Sequence, residues 1–155
     1  MPTSGGRDIC QQATNTLLAA LESLHLPVEK KPLLITISTT GISDIKRDVP
    51  LLFAPLYHVG LAIPHKDKRV MEASLKADIA KPATERLTRS IVVVRPSLLL
   101  NGQGKGVANV KVGVGEKNPA VGYTIARKDV GTWMFEKLLR GGMEERMKDQ
   151  FLTLT

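Results

Sequence analysis

Between Ile9 and Leu24 the apolar residues Ile9, Ala13, Leu17, Leu18, Leu21 and Leu24 return every three or four positions, the spacing of one helix face. The pattern predicts a helix of about four turns, with Asp8 placed to cap its start. A charged linker, Glu29-Lys30-Lys31-Pro32, then leads into Leu33-Leu34-Ile35-Thr36-Ile37-Ser38. That run is too short for a helix and too apolar for an exposed strand, and it reads as a buried parallel strand. Lys66 to Lys76 is rich in helix formers and sets Val70, Met71 and Leu75 on one side, a second amphipathic helix. Ser90-Ile91-Val92-Val93-Val94-Arg95 is the strongest strand signal, stopped by Pro96, which has no N–H for a ladder. Strand, helix and strand in this order predict a right-handed parallel crossover.

Beyond Pro96 the pattern weakens. A glycine-rich excursion from Asn101 to Glu116 ends in alternating Val110, Val112 and Val114, which predicts a short strand. Val130, Trp133, Met134, Phe135, Leu138 and Leu139 trace a helical stripe from Asp129 to Arg140, with Asp129 as N-cap and Gly141 or Gly142 as stop. Phe151 to Leu154 reads as a terminal strand. Val49 to His65 carries no charge but is broken by Pro50, Pro55 and Pro64; it is too short to span a bilayer comfortably and reads as a cleft-lining loop with a short helix.

Composition narrows the function classes. With 155 residues, 43% hydrophobic and 24% charged, residues 1–155 have the make-up of one ordinary globular domain. Aromatic residues make up only 4%, which argues against a base-stacking nucleic-acid platform. The 22 Lys and Arg against 15 Asp and Glu leave a formal charge of +7, which suits anionic partners. The basic residues are scattered singly and in pairs, however, as on a solvated surface and not as on a nucleic-acid footprint. A single cysteine, Cys10, excludes an internal disulfide and a Cys-based zinc site, and points to the cytoplasm and to a core position for Cys10. Met-Pro-Thr-Ser-Gly-Gly does not read as a secretory signal. His25, His58 and His65 lack acidic neighbours at metal-ligand spacing, so no metal is expected.

Candidate chemistry concentrates in three places. Gly102-Gln103-Gly104-Lys105-Gly106 has the glycines of a phosphate loop but not its context, since it does not run from a strand straight into a helix. A flexible turn is the better reading. Tyr57, His58, His65, Lys66 and Lys68 gather proton donors around the proline-rich segment, though a surface His and Lys pair explains them equally well. In an open parallel sheet, ligands bind outside the carboxyl ends of the strands, here Ser38, Thr39 and Thr40 after one strand and Pro96 and Ser97 after the other.

Four motifs in order carry a resemblance: Leu34-Ile35-Thr36-Ile37-Ser38-Thr39-Thr40-Gly41; the helix starting near His65-Lys66-Asp67-Lys68; Val92-Val93-Val94-Arg95-Pro96-Ser97 with Asn101-Gly102 after it; and Tyr123-Thr124-Ile125-Ala126-Arg127-Lys128-Asp129-Val130. From about Gly6 onward the chain resembles the C-terminal half of atypical short-chain dehydrogenases, the NmrA-like and biliverdin/flavin-reductase-like NAD(P)-binding proteins, including fungal oxidoreductases of the averufin-oxidase type. The resemblance implies an α/β, truncated Rossmann-like three-layer fold, a short, mainly parallel sheet flanked by helices and without the N-terminal βαβ dinucleotide-binding units. It implies Ser38 and Thr39 near a nicotinamide and a substrate carbonyl, with Tyr57, His58 or His65 as proton donor. Thr40, His58, Lys68, Arg95, Pro96 and Ser97 would contact substrate or cofactor, NADP or NAD. The family's Tyr-x-x-x-Lys pair is absent, since Leu61 follows Tyr57 at that spacing.

Two functional readings follow. In one, the chain is an oxidoreductase-like protein of a metabolic pathway, with weakened dinucleotide binding and redox-neutral acid–base chemistry on a small apolar substrate. In the other it is a non-catalytic module or fragment that pairs, with itself or another chain, through the uncovered edge of the Leu33 to Ser38 strand. Neither involves a membrane.

Overall fold

The computed structural model describes residues 8–53 and 61–155. In chain order its elements are α1 (Ile9–Ser23), β1 (Leu33–Ile37), α2 (Ala62–Ile79), β2 (Ser90–Pro96), β3 (Leu98–Leu100), β4 (Val112–Val114), β5 (Thr124–Ala126), α3 (Arg127–Met134) and β6 (Gln150–Leu154). The main sheet has the order β1-β2-β6-β4. β1, β2 and β6 are parallel, with Leu33 opposite Ser90 and Val92 opposite Gln150, and β4 runs antiparallel to β6. β3 and β5 form a separate parallel pair.

The alternation of side chains along β2 divides the core in two. Val92 and Val94, with Leu152 and Leu154 of β6, pack beneath Val130, Trp133 and Leu138 of α3 and its π-helical continuation Phe135–Arg140. Ile91 and Val93, with Phe151, face Met71 and Leu75 of α2. α1 packs on α2 in turn. Every residue of β2 is buried, the condition under which an unbroken Ile-Val-Val-Val run is stable as a strand. Burying each of these side chains contributes roughly 1.5–3 kcal/mol.

Charges inside the α2 layer are paired. Arg95 is only 1% exposed; it donates to Glu72 at 2.9 and 2.5 Å and to Glu116 at 2.9 Å, and its guanidinium lies 4.7 Å from the Phe151 ring centre. Asp149, in the left-handed region at φ 57°, accepts two hydrogen bonds from Arg86 and one each from Ser90 Oγ and the Ile91 N–H. These bonds fasten the entry of β6 to the start of β2.

Local signals were partly overridden. Asp8 makes no side-chain cap on α1. The acceptor is Asp67 of α2, whose carboxylate takes the N–H groups of Cys10 at 2.9 Å and Gln11 at 2.8 Å. Docking to α2 also turns Thr14 inward, so that Ile9, Leu17 and Leu24 of the expected apolar stripe lie exposed and Cys10 is half-buried. α2 begins four residues before Lys66 because Pro64 falls in its first turn, where a missing N–H costs nothing. Pro96 closes β2 from within, opposite Leu154. In the charge-free segment Val49 is buried, but Leu51 and Leu52 of a short 3-10 turn are exposed. No helix among the described residues is long and apolar enough to cross a membrane.

Candidate functional site

The carboxyl ends of β1 and β2 meet because their parallel register continues past the strands. Ser38 N–H donates to Val94 O at 2.7 Å, and Thr40 N–H and Oγ1 lie 3.2 and 3.4 Å from Pro96 O. Ser38, Thr39, Thr40, Pro96 and Ser97 are thereby brought together. The Ser38 hydroxyl is buried and has no hydrogen-bond partner among the described residues. The Ser97 hydroxyl instead sits 3.3 Å from Leu154 O and Thr40 is wholly buried, so both tie neighbouring segments together.

α2 runs past this edge. Its positions 65, 68 and 72 share one face at helical spacing, and Lys68 Nζ donates to Ile37 O at 2.8 Å while Glu72 reaches Arg95. His65, one turn before Lys68, is buried in the same helix. Arg95 thus belongs to the α2 layer, its donors spent on Glu72 and Glu116. Tyr57 and His58 lie outside the described residues.

Asp48 joins the cluster without any warning in the sequence beyond its place at the head of the charge-free Val49 to His65 segment. It is 2% exposed; Oδ1 accepts the Gly41 N–H at 2.8 Å, and Oδ2 is buried with no partner among the described residues. Burial pushes its pKa above the ordinary aspartate range, against the opposing pull of the Gly41 N–H and of Arg95. Asp67 goes the other way: the Gln11 and Cys10 N–H groups outweigh burial and hold its pKa low.

A cavity of about 890 Å³ lies further along the same edge. Pro50 and Leu100 connect it with the Asp48 and Ser97 neighbourhoods; Val110, Val121, Tyr123 and Ile125 line it as well. Ser38, His65 and Lys68 do not. The Gly102 to Gly106 loop forms one wall and is no phosphate cradle, because the Asp129 carboxylate already accepts the N–H groups of Lys105 and Gly106 at 2.7 and 3.0 Å. An anion sits where a phosphate would have to bind. This loop therefore offers no pyrophosphate site. No group of three or more His, Cys, Asp or Glu among the described residues is arranged to hold a metal ion.

No family model matches the chain. It is 43% identical over 158 residues to a reductase, pytE, of Aspergillus terreus, a match covering 99% of this chain and 60% of that protein. It is 40% identical over 164 residues to an oxidase, pynE, of Aspergillus niger, covering 95% of this chain and 56% of the relative. The chain thus spans little more than half the length of these curated relatives. Among solved structures it superposes on a short-chain dehydrogenase/reductase from Veillonella parvula DSM 2008 with a TM-score of 0.68 at 15% identity, covering 91% of this chain and 56% of that one. The same protein is also solved in complex with NADP, with the same TM-score. At the level of fold, the resemblance to short-chain dehydrogenases holds.

Proposed function

We propose, with a Rossmann-like, oxidoreductase-like fold as the premise, that the chain acts on a small, largely apolar metabolite of a biosynthetic pathway at the carboxyl ends of β1 and β2. The names of the two Aspergillus relatives support a redox ancestry. What supports the reading is the Ser38 hydroxyl without a partner among the described residues at the end of β1, Lys68 on Ile37 O one residue before it, and the buried Asp48 on the Gly41 N–H three residues after it; a cavity of about 890 Å³ reaches Pro50, two residues beyond Asp48. A ligand in the crevice outside the carboxyl ends of a parallel sheet follows the general rule for such folds.

The chemistry proposed is redox-neutral. Ser38 hydrogen-bonds a substrate carbonyl, and His65 or Asp48 moves a proton, which is all that isomerisation, dehydration or cyclisation requires. Because the glycine loop is filled by Asp129, dinucleotide binding by these residues is weak and no step is routed through a nicotinamide. The test is hydrogen exchange at the carbon next to the carbonyl of cyclohexanone in deuterated water, followed by NMR. Saturable exchange above buffer, lost in S38A and H65Q with unchanged circular dichroism, is the expected result; exchange no faster than buffer overturns it. A companion titration with NADPH and NADH by nicotinamide fluorescence is expected to show no saturation, and micromolar binding contradicts the weak-cofactor reading.

A second reading is favoured by a different observation. β1 is an edge strand of the main sheet, its Ile37 is 43% exposed, and α1 leaves Ile9, Leu17 and Leu24 uncovered. That surface suits pairing with a second copy of the chain.

A further inference from the structure

The wall of the large cavity is held in place by three consecutive residues at the start of α3. Arg127 donates to Asn101 Oδ1 at 2.7 Å, Lys128 to Gln103 Oε1 at 2.9 Å, and Asp129 accepts the Lys105 and Gly106 N–H groups. Gly104 adopts φ +78°, and a Cβ there would strike the Asp129 carboxylate, so the loop closes on α3 only with glycine at this position. On the opposite side Lys111 exchanges both backbone hydrogen bonds with Thr155, which fixes its place on the cavity lining.

This scaffold leaves an uneven distribution of charge. Arg127 and Lys128 are spent on the loop and Asp129 is satisfied by it, but Lys105 and Lys111 line the cavity without an ion pair among the described residues. Among the described residues no Asp or Glu other than Asp129 lines it. The remaining surface includes Leu100, Val110, Val121, Tyr123 and Ile125. Its volume falls within the few hundred to about 1,000 Å³ of small-molecule pockets. Both lysine side chains are exposed, so the attraction they offer an anion is that of surface charges, screened by salt.

We infer that the cavity takes an apolar small molecule bearing one acidic group, a carboxylate or an equally acidic oxygen, which pairs with Lys105 and Lys111 while its carbon skeleton lies against Tyr123, Val110 and Val121. The inference deepens the proposed function and rests on it, since it names the class of molecule that would occupy the same edge of the sheet. Pre-formed walls reduce the ordering cost of binding, and the Lys105 and Lys111 backbones are already held by Asp129 and Thr155.

The test uses two fluorescent probes with one ring system, anilinonaphthalene sulfonate and its uncharged counterpart phenylnaphthylamine. The sulfonate is expected to bind about tenfold more tightly at low ionic strength, and added salt should erode that advantage. The double variant K105Q/K111Q should abolish the preference and leave the affinity for the neutral probe unchanged. K30Q, at the amino end of β1 and remote from the cavity lining, should leave the preference intact. Equal affinity for the two probes, or a preference that survives K105Q/K111Q, overturns the acid-group inference alone. If neither probe binds, the cavity is not the ligand site, and its part in the proposed function falls as well.

Discussion

Single residues carry more of this molecule's chemistry than their neighbours in sequence suggest. Arg95 illustrates this: at the end of a strand beside Pro96 it invites a ligand-binding reading, yet its partner Glu72 lies on another element and the pair is buried. Removing one partner of such a pair typically costs about 3–5 kcal/mol, because the other charge stays buried alone. Asp48 is the opposite case, a buried carboxylate with one oxygen unpartnered among the described residues. Its folded pKa is raised by burial, so it favours folding at pH values below its unfolded pKa, and that contribution is lost as pH rises through the higher folded value. Asp149, Asp67 and Glu116, whose folded pKa values are lowered, contribute stability above the ordinary carboxylate range and lose it as pH falls. D48N should therefore stabilise the protein relative to wild type near pH 7 by on the order of 1 kcal/mol, with the advantage shrinking toward pH 4. Urea midpoints measured across that range check it, and a difference independent of pH would refute it.

At the scale of elements, what was legible in the sequence followed the strength of the local pattern. β2 is buried on both faces and its apolar run shows this, as it does for β6; β1 was visible from its apolar run too, but as the edge strand it is only half-buried, with Ile37 exposed, and not the buried strand that run predicts. β3 and β5 are three residues each and have no period to read; only the chain's return through β5 makes them a sheet. The α1 stripe was visible, but the face that docks was not, because Asp67 decides the orientation from another helix. Among candidate site residues, the strand-end hydroxyls were legible from topology, whereas Asp48 gave no pattern and Arg95 hid its long-range partner. Replacing Asp67 tests the helix-to-helix cap. D67A should cost about 1–2 kcal/mol in chemical unfolding, the usual worth of a lost cap. Cys10 supplies a second readout: burial and the Asp67 carboxylate both hold its thiol pKa high. D67N should make that thiol more acidic and faster to react with a disulfide reagent near neutral pH; an unchanged rate together with an unchanged urea midpoint would show that Asp67 does not cap α1.

For the whole molecule, the open side of the sheet matters most. β1 pairs with β2 on one side, and among the described residues no strand covers the other. The expected outcome is concentration-dependent self-association in light scattering, reversed by I37K, which places a charge on the edge. A monomer at every concentration would argue against the pairing reading and leave the small-molecule reading untouched. Closure at the other side of the sheet has a separate consequence. β6 is the last of the described strands in sequence, yet it lies between β2 and β4 and supplies Phe151, Leu152 and Leu154 to both halves of the core. Until residues 150–154 thread into that slot, β4 has no partner and α3 has little to cover. Such non-local closure makes for slow folding, and a nascent chain would leave the β6-facing side of β2 open until residues 150–154 had emerged.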